Sequence, residues 1–175
     1  MKIAHLSDTH IGHTRYARVG AKGINQREID VFATLRQALK AIEDRDPDLV
    51  LHTGDFFDKL RPSNQSLYHS FQLLAKFQER RGYRPFVIVA GNHETPRMAE
   101  SFSPLMLLGM IQGVKVFVDR AVAHPFDELD LEILAIPDNG LHAEQKLDWV
   151  PTLGRKHRVL AVHGLESTVN QISDF

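Results

Sequence analysis

The chain has 175 residues, 43% hydrophobic and 25% charged, which suits one domain with a real core and excludes a disordered tail. A net charge of -1 gives no global signature of a nucleic-acid binder, so any DNA contact must come from local patches or metal ions. Cysteine is absent, which excludes disulfides and thiolate metal sites, and no apolar run approaches a signal-peptide core or a membrane span. The expected location is the cytoplasm, close to the nucleoid in a bacterium or archaeon.

Short apolar runs alternate with amphipathic stretches, the pattern of an α/β fold. Lys2–Leu6 reads as a first strand. Ile29, Phe32, Leu35, Leu39 and Ile42 recur every three or four residues, so a helix is expected over roughly Asn25–Asp44, stopped by Asp46-Pro47. Leu49–Thr53 is a second strand. Pro62-Ser63 opens a helix with Leu67, Phe71, Leu74 and Phe77 on one face, and Phe86–Ala90 is a third strand. Ser103-Pro104 reads as an N-cap followed by proline at the first helical position, opening a short helix that ends at Gly109 or Gly113. Val114–Val118, Leu131–Ile136 and Arg158–Val162 are further strands, Arg120–Asp130 is ambiguous, and Leu141–Val150 is a weak helix ending at Pro151. Gly12–Gly23, with three glycines and three basic residues, reads as a loop that either connects elements or faces substrate.

Four strand ends carry metal-binding side chains. Asp8 and His10 follow the first strand, and Gly54-Asp55 with Asp58 follows the second. Gly91-Asn92-His93-Glu94 follows the third, and His163 follows Arg158–Val162. Taken singly, each has an ordinary explanation: a capping Asp, a Gly-Asp turn, a left-handed Asn, a core histidine. Together they fall where open α/β folds build their sites, outside the carboxyl ends of strands. Two divalent cations about 3.5–4 Å apart can hold a phosphate and activate hydroxide near neutral pH. One carboxylate must bridge them, and Asp55 is the candidate. Neutral imidazole and amide ligands keep the site positive for an anionic phosphodiester. Nitrogen and oxygen donors without sulfur suit Mn²⁺, Fe or Zn²⁺ better than Ca²⁺. His93, beside the proposed ligand Asn92, is placed as a general acid or transition-state stabiliser, with a structural hydrogen bond as the alternative.

Asp8-Thr9-His10, Gly54-Asp55-Phe56-Phe57-Asp58, Gly91-Asn92-His93-Glu94 and His163 resemble the calcineurin-like metallophosphoesterase signature. Within that superfamily the chain is most similar to the SbcD-type nucleases, catalytic subunits of the double-strand-break repair complex. His10-Ile11-Gly12, Gln26-Arg27-Glu28 opening a helix, Arg61-Pro62-Ser63, and His163-Gly164 with Glu166 extend the likeness from Met1 to Glu166. The resemblance implies a sandwich of two mixed β-sheets flanked by helices. It implies that Asp8 and His10 hold one metal, that Asn92 and His163 hold the other, that Asp55 bridges and that His93 is catalytic. It also implies Mn²⁺, with Mg²⁺ a further possibility, an SMC-like ATPase partner of the SbcC type, and a homodimer. Glu94 stands where the family usually has Asp. Asp58, a catalytic candidate, stands where some members carry a second active-site histidine. Nothing after His163 matches the family's Gly-His-x-His segment, so residues 1–175 are expected to be a phosphoesterase domain lacking its last metal-binding motif and its capping domain.

The expected function is metal-dependent DNA hydrolysis, exonucleolytic or endonucleolytic. Basic residues near the motifs favour it: Arg15, Arg18, Lys22, Arg27, Arg61 and Arg97, of which Arg15, Arg18 and Arg61 are the candidate phosphate contacts. The same site would serve a small-nucleotide phosphodiesterase or phosphatase. A non-catalytic scaffold on this fold is the third reading.

Overall fold

A strand covered on both faces is mostly apolar and pairs whatever polar groups it buries, and β2 (Leu49–Thr53) is buried at every position, with His52 and Thr53 hydrogen-bonded. In the computed structural model, which describes residues 1–20, 23–97, 101–142 and 154–164, it lies inside a sheet with β1 (Ile3–Leu6), β3 (Phe86–Val89) and β4 (Val114–Phe117). Among the described residues this sheet is wholly parallel, in the order β1-β2-β3-β4. A second, mixed sheet joins β5 (Val122–Phe126), β6 (Leu131–Ile136) and β7 (His157–Val162), with β5 antiparallel and β7 parallel to β6.

The strands of the first sheet use both faces. Leu49, Leu51, Val87 and Val89 meet Phe126, Leu131, Ile133, Ala135 and Ala161 of the second sheet. Val50, Phe86 and Ile88 face α1 (Gln26–Arg45), α2 (Asn64–Arg80) and α3 (Leu105–Leu108) through Leu35, Leu39, Ile42, Leu74, Phe77, Leu105 and Leu108. The result is two sheets packed face to face with helices outside, as expected, although the first sheet, expected to be mixed, is parallel among the described residues. No helix among the described residues is long and apolar enough to cross a membrane.

Local chemistry sets the boundaries. Asn25 caps α1 by accepting from the Arg27 amide, and Asp46 closes it in the left-handed conformation just before Pro47. Ser63 caps α2 by accepting from the Ser66 amide. Helix α3 is only four residues long, but the Ser103 hydroxyl still accepts from the Leu105 amide at 3.4 Å. The ambiguous segment Arg120–Asp130 resolves into β5 followed by a 3-10 turn over Asp127–Leu129. Pro125 is tolerated there because, among the described residues, β5 ends the sheet and need not donate outward. Of the expected helix Leu141–Val150, only its start overlaps the short α4 (Asp138–Leu141), and positions 143–150 lie outside the described residues. Lys22 and Glu166 also lie outside them.

Because β1, β2 and β3 run parallel in register, their carboxyl ends open on one edge. β7 ends beside them: the His163 ring Nδ1 donates to the carbonyl of Thr53, the last residue of β2, at 3.0 Å.

Candidate metal centre

Beyond β1 the chain stays alongside the continuation of β2. The amides of Asp8, His10 and Ile11 donate to the carbonyls of Gly54, Asp55 and Phe56 at 3.1, 2.9 and 2.8 Å. To keep this pairing, Asp8, His10 and Asp55 adopt φ of 53°, 46° and 56°, a region unfavourable for residues with a Cβ. Such strain persists where the surrounding structure overrides it, typically at functional sites. Two glycines make the close approach possible. A Cβ on Gly54 would overlap the His163 ring, and one on Gly91 would overlap the Asp55 backbone and carboxylate.

Asp55 is the centre of the cluster and is 4% exposed. Its Oδ1 accepts the His93 amide at 3.1 Å, while Oδ2 lies 3.3 Å from His163 Nε2 and 3.8 Å from both His10 Nε2 and His93 Nε2. The ligand atoms of His10, Asp55 and His93 lie within 4.8 Å of one another, as do those of Asp8, Asp55 and His163. Asp55 belongs to both groups, as a bridging carboxylate must. Proximity pairs His10 with His93 and Asp8 with His163, whereas the resemblance implies Asp8 with His10. That pairing is also within reach, since His10 Nε2 is 3.9 Å from Asp8 Oδ1.

Ring tautomers test whether these residues fit a cation. A carbonyl only accepts, so His163 Nδ1 carries hydrogen toward Thr53 and His93 Nδ1 carries hydrogen toward the Asp58 carbonyl, the latter at 2.7 Å. Each neutral ring then turns a bare Nε2 toward the Asp55 carboxylate, lone pair against lone pair. A cation or a proton between them removes the conflict. The donor set therefore fits a divalent metal, and its nitrogen and oxygen atoms suit Mn²⁺, Fe or Zn²⁺.

Without metal, a proton takes that place. Hydrogen bonding to Asp55 raises the His163 pKa from 6.5 to about 9. Burial opposes charge on Asp55, but its contacts with His163 and the His93 amide prevail and hold it down at about 2. The raised His163 value stabilises the metal-free fold fully below pH 6.5, and this stabilisation is lost as pH rises through about 9. Ligands must shed protons to bind metal. Mn²⁺ binding at about pH 7.5 is therefore expected to release roughly one proton per His163, falling toward zero above about pH 10. Calorimetry in two buffers of different ionisation heat measures this, and binding without proton release at the lower pH contradicts the assignment of His163.

A buried polar layer supports the site. His52 is fully buried, and its Nε2 lies 2.7 Å from the Thr9 hydroxyl, which itself donates to the Phe56 carbonyl at 3.3 Å. The Thr9 proton being committed, His52 donates through Nε2–H, and burial pushes its pKa down to about 3, which keeps it neutral. His5 Nε2 reaches the Thr53 hydroxyl at 2.7 Å. Glu94 Oε1 accepts the Phe56 amide at 2.6 Å, tying the loop after β3 to the loop after β2; burial raises its pKa to about 8. Glu94 thus serves as a clamp between the two motifs.

The remaining sequence candidates divide. Asn92 joins Asp8, His163, Arg97, Asp138 and His142 in lining an open cavity of about 850 Å³. Asp58 Oδ1 lies 3.3 Å from His10 Nδ1, on the ring edge opposite the one that faces Asp55, and 2.7 Å from His13 Nδ1. Arg15, Arg18 and Arg61 are exposed and do not line the cavity; Arg97, named only among the wider basic set, does. Sequence reasoning missed His13, His52 and Thr9 because their partners lie more than forty positions away. It also missed His142, which sits 3.4 Å from Asp138 at the cavity rim.

The chain is 37% identical over 108 residues to the DNA double-strand break repair protein Mre11 of Methanocaldococcus jannaschii, covering 62% of this chain and 27% of that one. It is 33% identical over 108 residues to a subunit of the SbcCD nuclease of Bacillus subtilis, covering 60% and 25%. The chain therefore spans about a quarter of the length of these relatives. Among solved structures, the Pseudomonas putida nuclease MPE aligns with a TM-score of 0.41 at 15% identity, over 75% of this chain and 52% of that one, too distant to add weight. The calcineurin-like phosphoesterase family model matches residues 1–175. With Asp8, Asp55 and His163 gathered at the ends of three strands, that match over the whole length makes the chain a member of the calcineurin-like phosphoesterase family.

Proposed function

We propose that this chain is the catalytic part of a metal-dependent DNA repair nuclease. The observation that carries the reading is the ring of imidazole nitrogens around the Asp55 carboxylate, in a chain whose relatives are named as break-repair proteins and nuclease subunits. Asp8, His10, Asp55, Asn92 and His163 would hold two divalent cations, with Mn²⁺ the first choice. When bound, they supply charge to neutralise a phosphodiester and acidify water. The chain does the rest. Gly54 and Gly91 keep the backbone close around Asp55, and the open cavity of about 850 Å³ beside the cluster would receive the phosphodiester. His93, anchored through Nδ1–H, turns Nε2 into the site, where the ring, once protonated there as well, can donate to the developing charge or the leaving oxygen. Asp58 acts from behind the rings as a positioning group.

An SMC-like ATPase is the proposed partner, because one relative is named as a subunit of a two-part nuclease. A homodimer in the cytoplasm completes the proposal. The test is digestion of plasmid and short duplex DNA by the full-length protein with and without Mn²⁺. Hydrolysis of small nucleotide esters with no DNA cleavage would replace the nuclease by a nucleotide phosphodiesterase.

Arg15, Arg18 and Arg61 are proposed to touch DNA phosphates outside the cavity, since all three are exposed on loops after the first and second motifs. Removing one such phosphate-binding side chain should flatten the slope of log affinity against log salt by about 0.9. The triple alanine variant is therefore expected to bind duplex DNA with a slope shallower by roughly 2.7. An unchanged slope removes these residues from the interface.

A further inference from the structure

Three imidazoles converge on Asp58. Its Oδ1 accepts from His13 Nδ1 at 2.7 Å and lies 3.3 Å from His10 Nδ1, while its carbonyl accepts from His93 Nδ1 at 2.7 Å. His10 neighbours both other rings, with centroids 6.4 Å apart for His13 and His10 and 4.8 Å apart for His10 and His93. The Asp58 amide is itself fixed by the Ile11 carbonyl at 3.0 Å.

Two observations single out His13. First, His10 Nδ1 is buried and makes no hydrogen bond, although Asp58 Oδ1 is only 3.3 Å away. A buried ring N–H left unpaired is costly, and a small turn of the ring or carboxylate completes the bond. Second, the His13 ring belongs to neither group of ligand atoms around Asp55, and its one polar contact among the described residues is Asp58.

A histidine that ligates through Nε2 is held in orientation by donating Nδ1–H to a carboxylate or carbonyl. His163 has the Thr53 carbonyl for this purpose and His93 has the Asp58 carbonyl. For His10, among the described residues, only the Asp58 side chain is in place, and that side chain is held by His13. We propose that His13 and Asp58 form a positioning pair that fixes His10, so that the metal position served by His10 depends on a residue that touches neither metal nor reacting atoms. This rests on His10 being a metal ligand, as proposed above.

The experiment is Mn²⁺ titration of the full-length protein by calorimetry, with thermal unfolding measured alongside. Wild type is expected to bind two ions. His13→Ala should weaken one of them by about 10–100-fold, the usual cost of losing an outer-layer partner, and spare the other. His13→Asn, whose amide can replace the Nδ1 donor, should restore most of the loss. His13→Ala added to Asp58→Ala should have no further effect, because His13 acts through Asp58. Two unchanged sites in His13→Ala, additive losses in the double variant, or equal weakening of both sites with a lower unfolding temperature would each overturn the pair. Failure of wild type to bind any Mn²⁺ would overturn the metal centre itself, a result distinct from the others.

Discussion

Asparagine at Asp55 is expected to cost more Mn²⁺ affinity, at both positions together, than any other single change. The fall should exceed about 100-fold, the upper end of what an outer-layer partner contributes, because Asp55 is the one residue common to both ligand groups. Asparagine keeps the shape and the Oδ1 acceptor for the His93 amide, so the loop after β3 should stay in place. What disappears is the charge that offsets two neighbouring cations and the oxygen toward which His10, His93 and His163 turn. DNA hydrolysis should fall to background. The variant also has a signature that needs no metal: hydrogen bonding to Asp55 is the largest cause of the raised His163 pKa, so His163 should titrate well below about 9. Nuclear magnetic resonance of the histidine ring protons in the metal-free variant reads this directly. Wild-type Mn²⁺ affinity with an unmoved His163 would remove Asp55 from the centre of the site.

Much of this arrangement is legible in one dimension. β2 and β6 are buried at every position and are mostly apolar, with His52, Thr53 and Glu132 as their polar members, so each still stands out as a short apolar stretch. Asp8, Asp55, Asn92 and His163 each follow such a run closely, and parallel register then carries them to one edge. β5 is unreadable in sequence because His124 and Pro125 break its alternation, and a strand at a sheet edge tolerates both. Helix α3, only four residues long, is too short to show a periodic face and is legible through its boundaries alone, Ser103-Pro104 before it and Gly109 after it. The supporting layer is hidden for a different reason. Thr9 meets His52 and His13 meets Asp58 only because the chain after β1 pairs with the continuation of β2, from the Asp8 amide on Gly54 to the Ile11 amide on Phe56. That pairing depends on three non-glycine residues in left-handed conformations, which propensity argues against.

Alanine at His93 is the complementary case, with chemistry lost and metal kept. The expected fall in turnover is about 10²–10⁴-fold, the range for a general acid, with two Mn²⁺ still bound per chain. The His93 ring is 38% exposed on its side-chain surface, whereas His163 is 17% exposed, so His93 is the ring more open to an incoming substrate. Its Nδ1–H is committed to the Asp58 carbonyl, which leaves Nε2 as the atom that can exchange a proton with a leaving oxygen. Proximity alone supports a rival assignment, since Nε2 lies as far from Asp55 Oδ2 as His10 Nε2 does, 3.8 Å in each case. Elemental analysis separates the two: one metal lost per chain in His93→Ala would make His93 a ligand. If the metal count holds, the substrate identifies the role. A phosphodiester with a p-nitrophenolate leaving group needs little protonation, so a general acid predicts that the deficit of His93→Ala shrinks on that substrate. A group that stabilises charge on the phosphate oxygens predicts the same deficit on both substrates.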